Sequence, residues 1–137
     1  MSQENVEIVR KVYDAIARGD SETVLENYDP DVEWDFSESP FATVFRQNVY
    51  RGHGGIRALT RERYEEAWES IDDDLLDLID AHGQVVAVVK TVGRGRTSDV
   101  KVDRTHAALW TIQDGKITRV AWYGSGEEAL EAAGLSE

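Results

Sequence analysis

Cysteine is absent from this 137-residue chain, and proline and methionine nearly so, with two and one. Without thiols there is no disulfide framework, no thiolate nucleophile and no thiolate metal site. Long apolar runs are missing too: no stretch approaches the ~20 residues a membrane-spanning helix needs. The opening "MSQENVEIVRK" carries acids and does not read as a secretory signal. A cytoplasmic protein with no membrane partner is expected. Basic residues are also scarce, 15 against 27 acids, for a net charge of −12. Such a surface repels polyanions, so nucleic acid is not an expected partner. The cluster Arg94, Arg96 and Lys101 is too thin to reverse that, and the acid excess reads as a solubility feature.

Metal and phosphate chemistry find little support. His53, His82 and His106 are far apart, and none has the helical pairing of a metalloprotease motif. Asp72, Asp73 and Asp74 lack the alternation and glycine of a calcium loop and read as a solvated turn. "GRGR" lacks the other positions of a phosphate-binding fingerprint. No metal or organic cofactor is expected.

What is present is a clear order of elements. Residues 3–18 place Val9, Val12, Tyr13 and Ile16 on one helical stripe, with Ser2 as N-cap. Gly19 terminates that helix and Asp20 caps a second, "SETVLENY", which Pro30 stops. "DVEWDFSE" alternates as a strand, with Val32, Trp34 and Phe36 on one side. Residues 39–50 lack a period and read as a partly buried loop. "GHGG" at 52–55 then opens a helix over roughly 53–70, presenting Ile56, Leu59, Tyr64, Ala67 and Trp68.

From Asp74 to Tyr123 the pattern is that of strands, with hairpins at His82-Gly83 and Asp114-Gly115. "EEALEAAGL" closes the chain as a short helix. Nothing divides it, so 1–137 is expected to be one domain. Helices first and antiparallel strands afterwards give an α+β fold. The row Val100, Val102, Ala108, Trp110 and Ile112 is taken as an outer sheet face that a partner covers, predicting a two-fold homodimer.

The segments "VYDAIARGDSETVLENYDPDVEWDF", "YRGHGGIRAL" and "HAALWTIQDGKITRVAWYGSGEEALEAAGL", in that order, resemble the nuclear-transport-factor-2-like superfamily. Within it they are most similar to the SnoaL-like group of polyketide cyclases and ketosteroid isomerases. The resemblance covers nearly the whole chain. It implies a cone-shaped domain, its N-terminal helices packed on a strongly bent, mainly antiparallel sheet that encloses a pocket. It also implies a small-molecule protein, either an isomerase- or cyclase-type enzyme using general acid–base catalysis on an apolar substrate or a binder with the same pocket. A protein-interaction module of the same fold is the alternative.

The resemblance sets Asp35 at the general-base position of a ketosteroid isomerase. Alternation with Trp34 and Phe36 would instead point Asp35 outward. That family's other two positions fall on Val12, beside Tyr13, and on Ala107, beside His106, so steroid isomerisation itself is not expected. His106 is the second catalytic candidate, since imidazole titrates near neutrality. It could equally lie on the outer sheet face with Val102, Ala108 and Trp110. No other carboxylate is expected to replace Asp35. Tyr13, Trp34, Tyr50, Trp68 and Tyr123 are candidate pocket aromatics, or simply core. His53 either supports the glycine turn or lines the pocket mouth. Arg119 either orients an anionic ligand or sits outside.

Overall fold

The computed structural model describes residues 2–40, 47–96 and 101–134. Helix α1 (Ser2–Arg18) ends where Gly19 takes φ +73°, and α2 (Ser21–Glu26) follows. Asp20 caps α2 by accepting from the Thr23 amide at 3.1 Å. Strand β1 (Tyr28–Asp35) leads, past residues 41–46 that lie outside the described set, to β2 (Val49–Arg51). Helix α3 (Gly52–Arg61) continues as one π-helical turn, Glu62–Ala67. Then come β3 (Trp68–Ala81), β4 (Gln84–Gly95), β5 (Lys101–Gln113), β6 (Lys116–Tyr123) and α4 (Gly126–Ala132). Among the described residues no helix is long and apolar enough to cross a membrane.

The six strands form one curved sheet in the order β2-β1-β6-β5-β4-β3. All neighbours are antiparallel except β1 and β6, which run parallel. The α+β expectation therefore holds. His82-Gly83 and Asp114-Gly115 all adopt positive φ, the signature of two-residue hairpins that match strand twist.

Register assigns the two faces. Tyr50, Trp34, Val120, Trp110, Ala87 and Leu78 meet the helices on the inner face, where most of the core lies. On the other face Val86, Ala107 and Leu109 form a smaller cluster with Ala129 of α4. Ala108 and Trp110 thus point inward, and Val102 shares their side by alternation. The row taken as an outer face is consumed inside the protomer, which removes the premise for the homodimer. Val100 lies outside the described residues.

Two boundaries differ from the sequence reading. The helix after "GHGG" ends at residue 67, and Trp68 is the first residue of β3 rather than part of a helical face. Asp72, Asp73 and Asp74 are mid-strand, paired with Val92, Thr91 and Lys90, not a turn. A charged run can be strand when every second side chain faces water, and here Asp72 and Asp74 do so around Asp73.

"GHGG" is explained by backbone. Gly52 has φ +70°, and a Cβ there would stand 3.3 Å from the Pro30 carbonyl oxygen. Gly54 has neither constraint. Gly52→Ala is expected to cost about 1–2 kcal/mol, because an L side chain is strained at that φ. Gly54→Ala should instead stabilise by about 0.5 kcal/mol by narrowing the unfolded ensemble. Urea unfolding of both variants checks the contrast; equal losses would contradict it.

Candidate active site

A chain of polar side chains crosses the inner face where apolar residues would be expected. Arg63 of the π-helical turn donates from one terminal guanidinium nitrogen to Asp73 Oδ2 at 2.5 Å, with both side chains largely buried. Thr91 Oγ1 donates to Asp73 Oδ1 at 2.7 Å and lies 2.8 Å from His106 Nε2. A hydroxyl has one proton, and Thr91 gives it to the carboxylate. The contact with His106 must therefore run the other way, with Nε2–H donating to Thr91 Oγ1. In neutral imidazole that leaves the basic lone pair on Nδ1.

His106 is only 5% exposed. Burial pushes its pKa down to about 4; the Asp73 charge opposes that shift, while Arg63 and Arg104 reinforce it. The ring is thus neutral at ordinary pH, with its lone pair on Nδ1. It stacks on Trp122 at 4.6 Å. Trp122 in turn meets Trp34, and Trp34 meets Trp110, which carries Tyr13 edge-on at 5.3 Å. Burial, and secondarily Asp73, holds the Tyr13 hydroxyl well above the ordinary tyrosine pKa, so it stays protonated.

Two spaces adjoin this chain. A small cavity of about 20 Å³ is lined by His106, Thr91, Asp73 and Arg63 with Trp68 and Trp122. That is room for about one water. Arg63 Nε and the indole N–H groups of Trp68 and Trp122 are buried and make no hydrogen bond among the described residues. Donors of this kind suit an acceptor oxygen, from water or from a carbonyl. The second space is a cleft of about 740 Å³ between α1–α2 and α3, floored by Tyr28, Trp34, Ile56 and Leu59. Only this one is large enough for a ligand. Arg63 lines both. Among the described residues no group of three His, Asp or Glu side chains could hold a metal ion.

The other sequence candidates fall in varied places. Asp35 lies on the face opposite Trp34 and pairs with Arg119 at 2.6 Å. Burial acts to raise its pKa, but hydrogen bonds from Ser37 and the Arg119 charge outweigh it, and the carboxyl sits below its ordinary value. Asp35 lines neither of the two spaces, so it is not positioned to act as a base on a ligand there. Arg119 also meets Glu33 at 3.4 Å, so it is an outer-face ion-pair residue. Tyr123 packs in the small cluster beneath α4, away from the cavity. His53 Nε2 lies 3.0 Å from the Tyr28 carbonyl oxygen and ties α3 to β1. Tyr50 is core, its hydroxyl donating to buried Glu62 at 2.5 Å. Trp34 lines the cleft and Trp68 the cavity, and His106 faces inward with Trp110.

Arg63, Asp73, Thr91 and Trp122 were not among the sequence candidates, and Asp73, read as part of a solvated turn, has a largely buried side chain. Arg63 had a readable signal, four residues after Leu59 and seven after Ile56, on the buried helical face.

The sequence profile of the SnoaL-like domain matches residues 9–120. The chain belongs to the SnoaL-like family. An uncharacterised protein of Mycobacterium tuberculosis is 28% identical over 129 residues, spanning 93% of this chain and 94% of its own. An NTF2-like protein from Burkholderia xenovorans superposes with TM-score 0.75 at 23% identity, over 97% of both chains. TerC, crystallised with polyporic acid, gives TM-score 0.75 at 21% identity over 93% of this chain and 98% of its own. At these identities the solved structures share the fold, and this SnoaL-like chain's chemistry has to come from its own residues.

His106 carries a linkage prediction. Above about pH 6.5 the ring is neutral whether folded or unfolded. Between there and about pH 4 the unfolded chain takes a proton that the folded chain refuses, so stability falls as pH falls. The component is about 3 kcal/mol. Wild type should lose about that much more than His106→Gln between neutral pH and about pH 4. Urea midpoints at both pH values measure it, and parallel losses would mean the imidazole is solvated.

Proposed function

We propose that this SnoaL-like protein binds an apolar small molecule and moves a proton on it by cofactor-independent acid–base catalysis, with His106 as the proton-transferring group. The observation carrying this reading is the chain His106–Thr91–Asp73–Arg63, which fixes one imidazole tautomer beside an apolar wall. When Nδ1 accepts a proton, the new positive charge is met through Nε2–H and Thr91 by the Asp73 carboxylate. Arg63 keeps that carboxylate in place. The ligand's body occupies the larger cleft against Tyr28 and Trp34, with its reacting end directed past Arg63 toward the smaller cavity. Arg63 Nε and the Trp68 and Trp122 indoles are then placed to donate to oxygen where charge develops.

A base with a pKa of about 4 is weak. The proton it removes must itself be acidic, such as one between two carbonyls, for the transfer to be efficient. The TerC complex with polyporic acid supports a ligand-binding role for this fold. The protein-interaction alternative has less behind it. Among the described residues the exposed large apolar side chains are Tyr64, Leu76 and Val92, which lie on three different elements rather than in one patch.

A thermal-shift panel of polyketide-like aromatics, steroids and small terpenoids should reveal ligands, since binding to the native state alone raises Tm. With a substrate in hand, His106→Gln should cut kcat by about 100-fold or more while KM changes little. Asp35→Asn should leave turnover intact while costing about 1–2 kcal/mol of stability, because it weakens the Arg119 pair. Full activity in His106→Gln would overturn the assignment.

A further inference from the structure

The protein carries −12 overall, yet the wall of the ligand-sized cleft has the opposite sign. Arg18, Arg57, Arg61 and Arg63 line it against Asp20 and Glu65. Two of these arginines are committed, Arg18 to Asp20 at 3.3 Å and Arg63 to Asp73. Arg57 and Arg61 are exposed and make no ion pair or side-chain hydrogen bond among the described residues. They stand four residues apart on α3, so both guanidinium groups project from the same side of the helix. The face between them and the cleft floor is apolar, through Ile56 and Leu59.

From this arrangement we infer that the cleft selects an amphipathic anion, an apolar ring system bearing a carboxylate or sulfonate that Arg57 and Arg61 hold at the rim. This rests on the reading of the cleft as the ligand site and deepens it by naming the substrate class. The chemistry is consistent with the charges around it. An anion approaching elsewhere meets an acidic surface, whereas at this mouth it meets two guanidinium groups that make no ion pair among the described residues. Arginine's planar fork binds such groups through paired hydrogen bonds. The apolar floor takes the rest of the molecule, and the anionic end stays at the rim, where it keeps part of its hydration. The reacting end is then the one buried toward Arg63 and His106. An anionic handle at one end and an acidic C–H or carbonyl at the other is the substrate pattern this implies.

A matched pair of fluorescent probes tests it on the full chain. 1-Anilinonaphthalene-8-sulfonate and N-phenyl-1-naphthylamine share the aromatic body and differ in the sulfonate. In wild type both should bind. In the Arg57→Gln/Arg61→Gln variant the sulfonate probe should weaken by about tenfold or more, as expected for loss of charge-assisted hydrogen bonds. The neutral probe should keep its affinity in that variant, and added salt should weaken only the anion. Near-UV circular dichroism confirms that both proteins retain native packing, which the surface position of the two arginines favours. If both probes bind wild type and variant alike, the anion preference is wrong while the ligand cleft stands. If neither probe binds natively packed wild type, the cleft is not a ligand site and both readings fall.

Discussion

Asp73 is the point around which this interior is organised. Its side chain is 13% exposed, on the middle of a strand, facing the helices. A carboxylate in that position is costly unless a cation and hydrogen-bond donors meet both oxygens. Arg63 meets one and Thr91 the other. Satisfying Asp73 therefore fixes where the π-helical turn must lie, which rotamer Thr91 takes and which nitrogen of His106 carries hydrogen. The same His106 ring stacks on Trp122, which joins the polar chain to the aromatic packing. Removing one member would leave a buried charge or donor without its partner, at about 3–5 kcal/mol for the ion pair.

The same constraint separates the two faces of the sheet. Outside, ion pairs such as Lys90–Asp103 and Arg51–Glu33 are exposed at 3.5 Å and contribute little to stability. Asp35 and Arg119 lie on this outer face too, as a shorter and more covered pair at 2.6 Å, although Asp35 sits where the resemblance to ketosteroid isomerases set a base. Inside, water is largely excluded, so a charge or dipole acts over the whole cavity. The proposed chemistry is therefore assigned to the inner face, where charges are few.

Most of the fold could be read from local signals: Asp20 as a cap, Gly19 as a terminator, and two hairpins marked by residues that tolerate positive φ. The site was harder. Asp73 hid inside an acidic run, and only the alternation Ile71, Asp73, Leu75 marks it as inward; the irregular register between Leu75 and Asp77 then breaks that alternation. Thr91 continues the inward row Val85, Ala87, Val89, but a threonine in a strand carries no signal by itself. His106 was legible as a residue but not as a face, because Ala107, Ala108, Leu109 and Trp110 are buried on both sides. A strand covered by helices on each face loses the polarity that tells inside from outside.

The central claim is that a buried relay holds His106 neutral, with hydrogen on Nε2 and the lone pair on Nδ1. Nitrogen-15 NMR of the imidazole groups, followed from neutral pH downward, measures this directly. For His106, Nε2 should resonate as a protonated nitrogen and Nδ1 as an unprotonated one, with no titration until close to pH 4. Thr91→Val should disturb that tautomer while leaving His53 and His82 unchanged. A His106 that titrates near its ordinary value, or that carries its proton on Nδ1, would contradict the account.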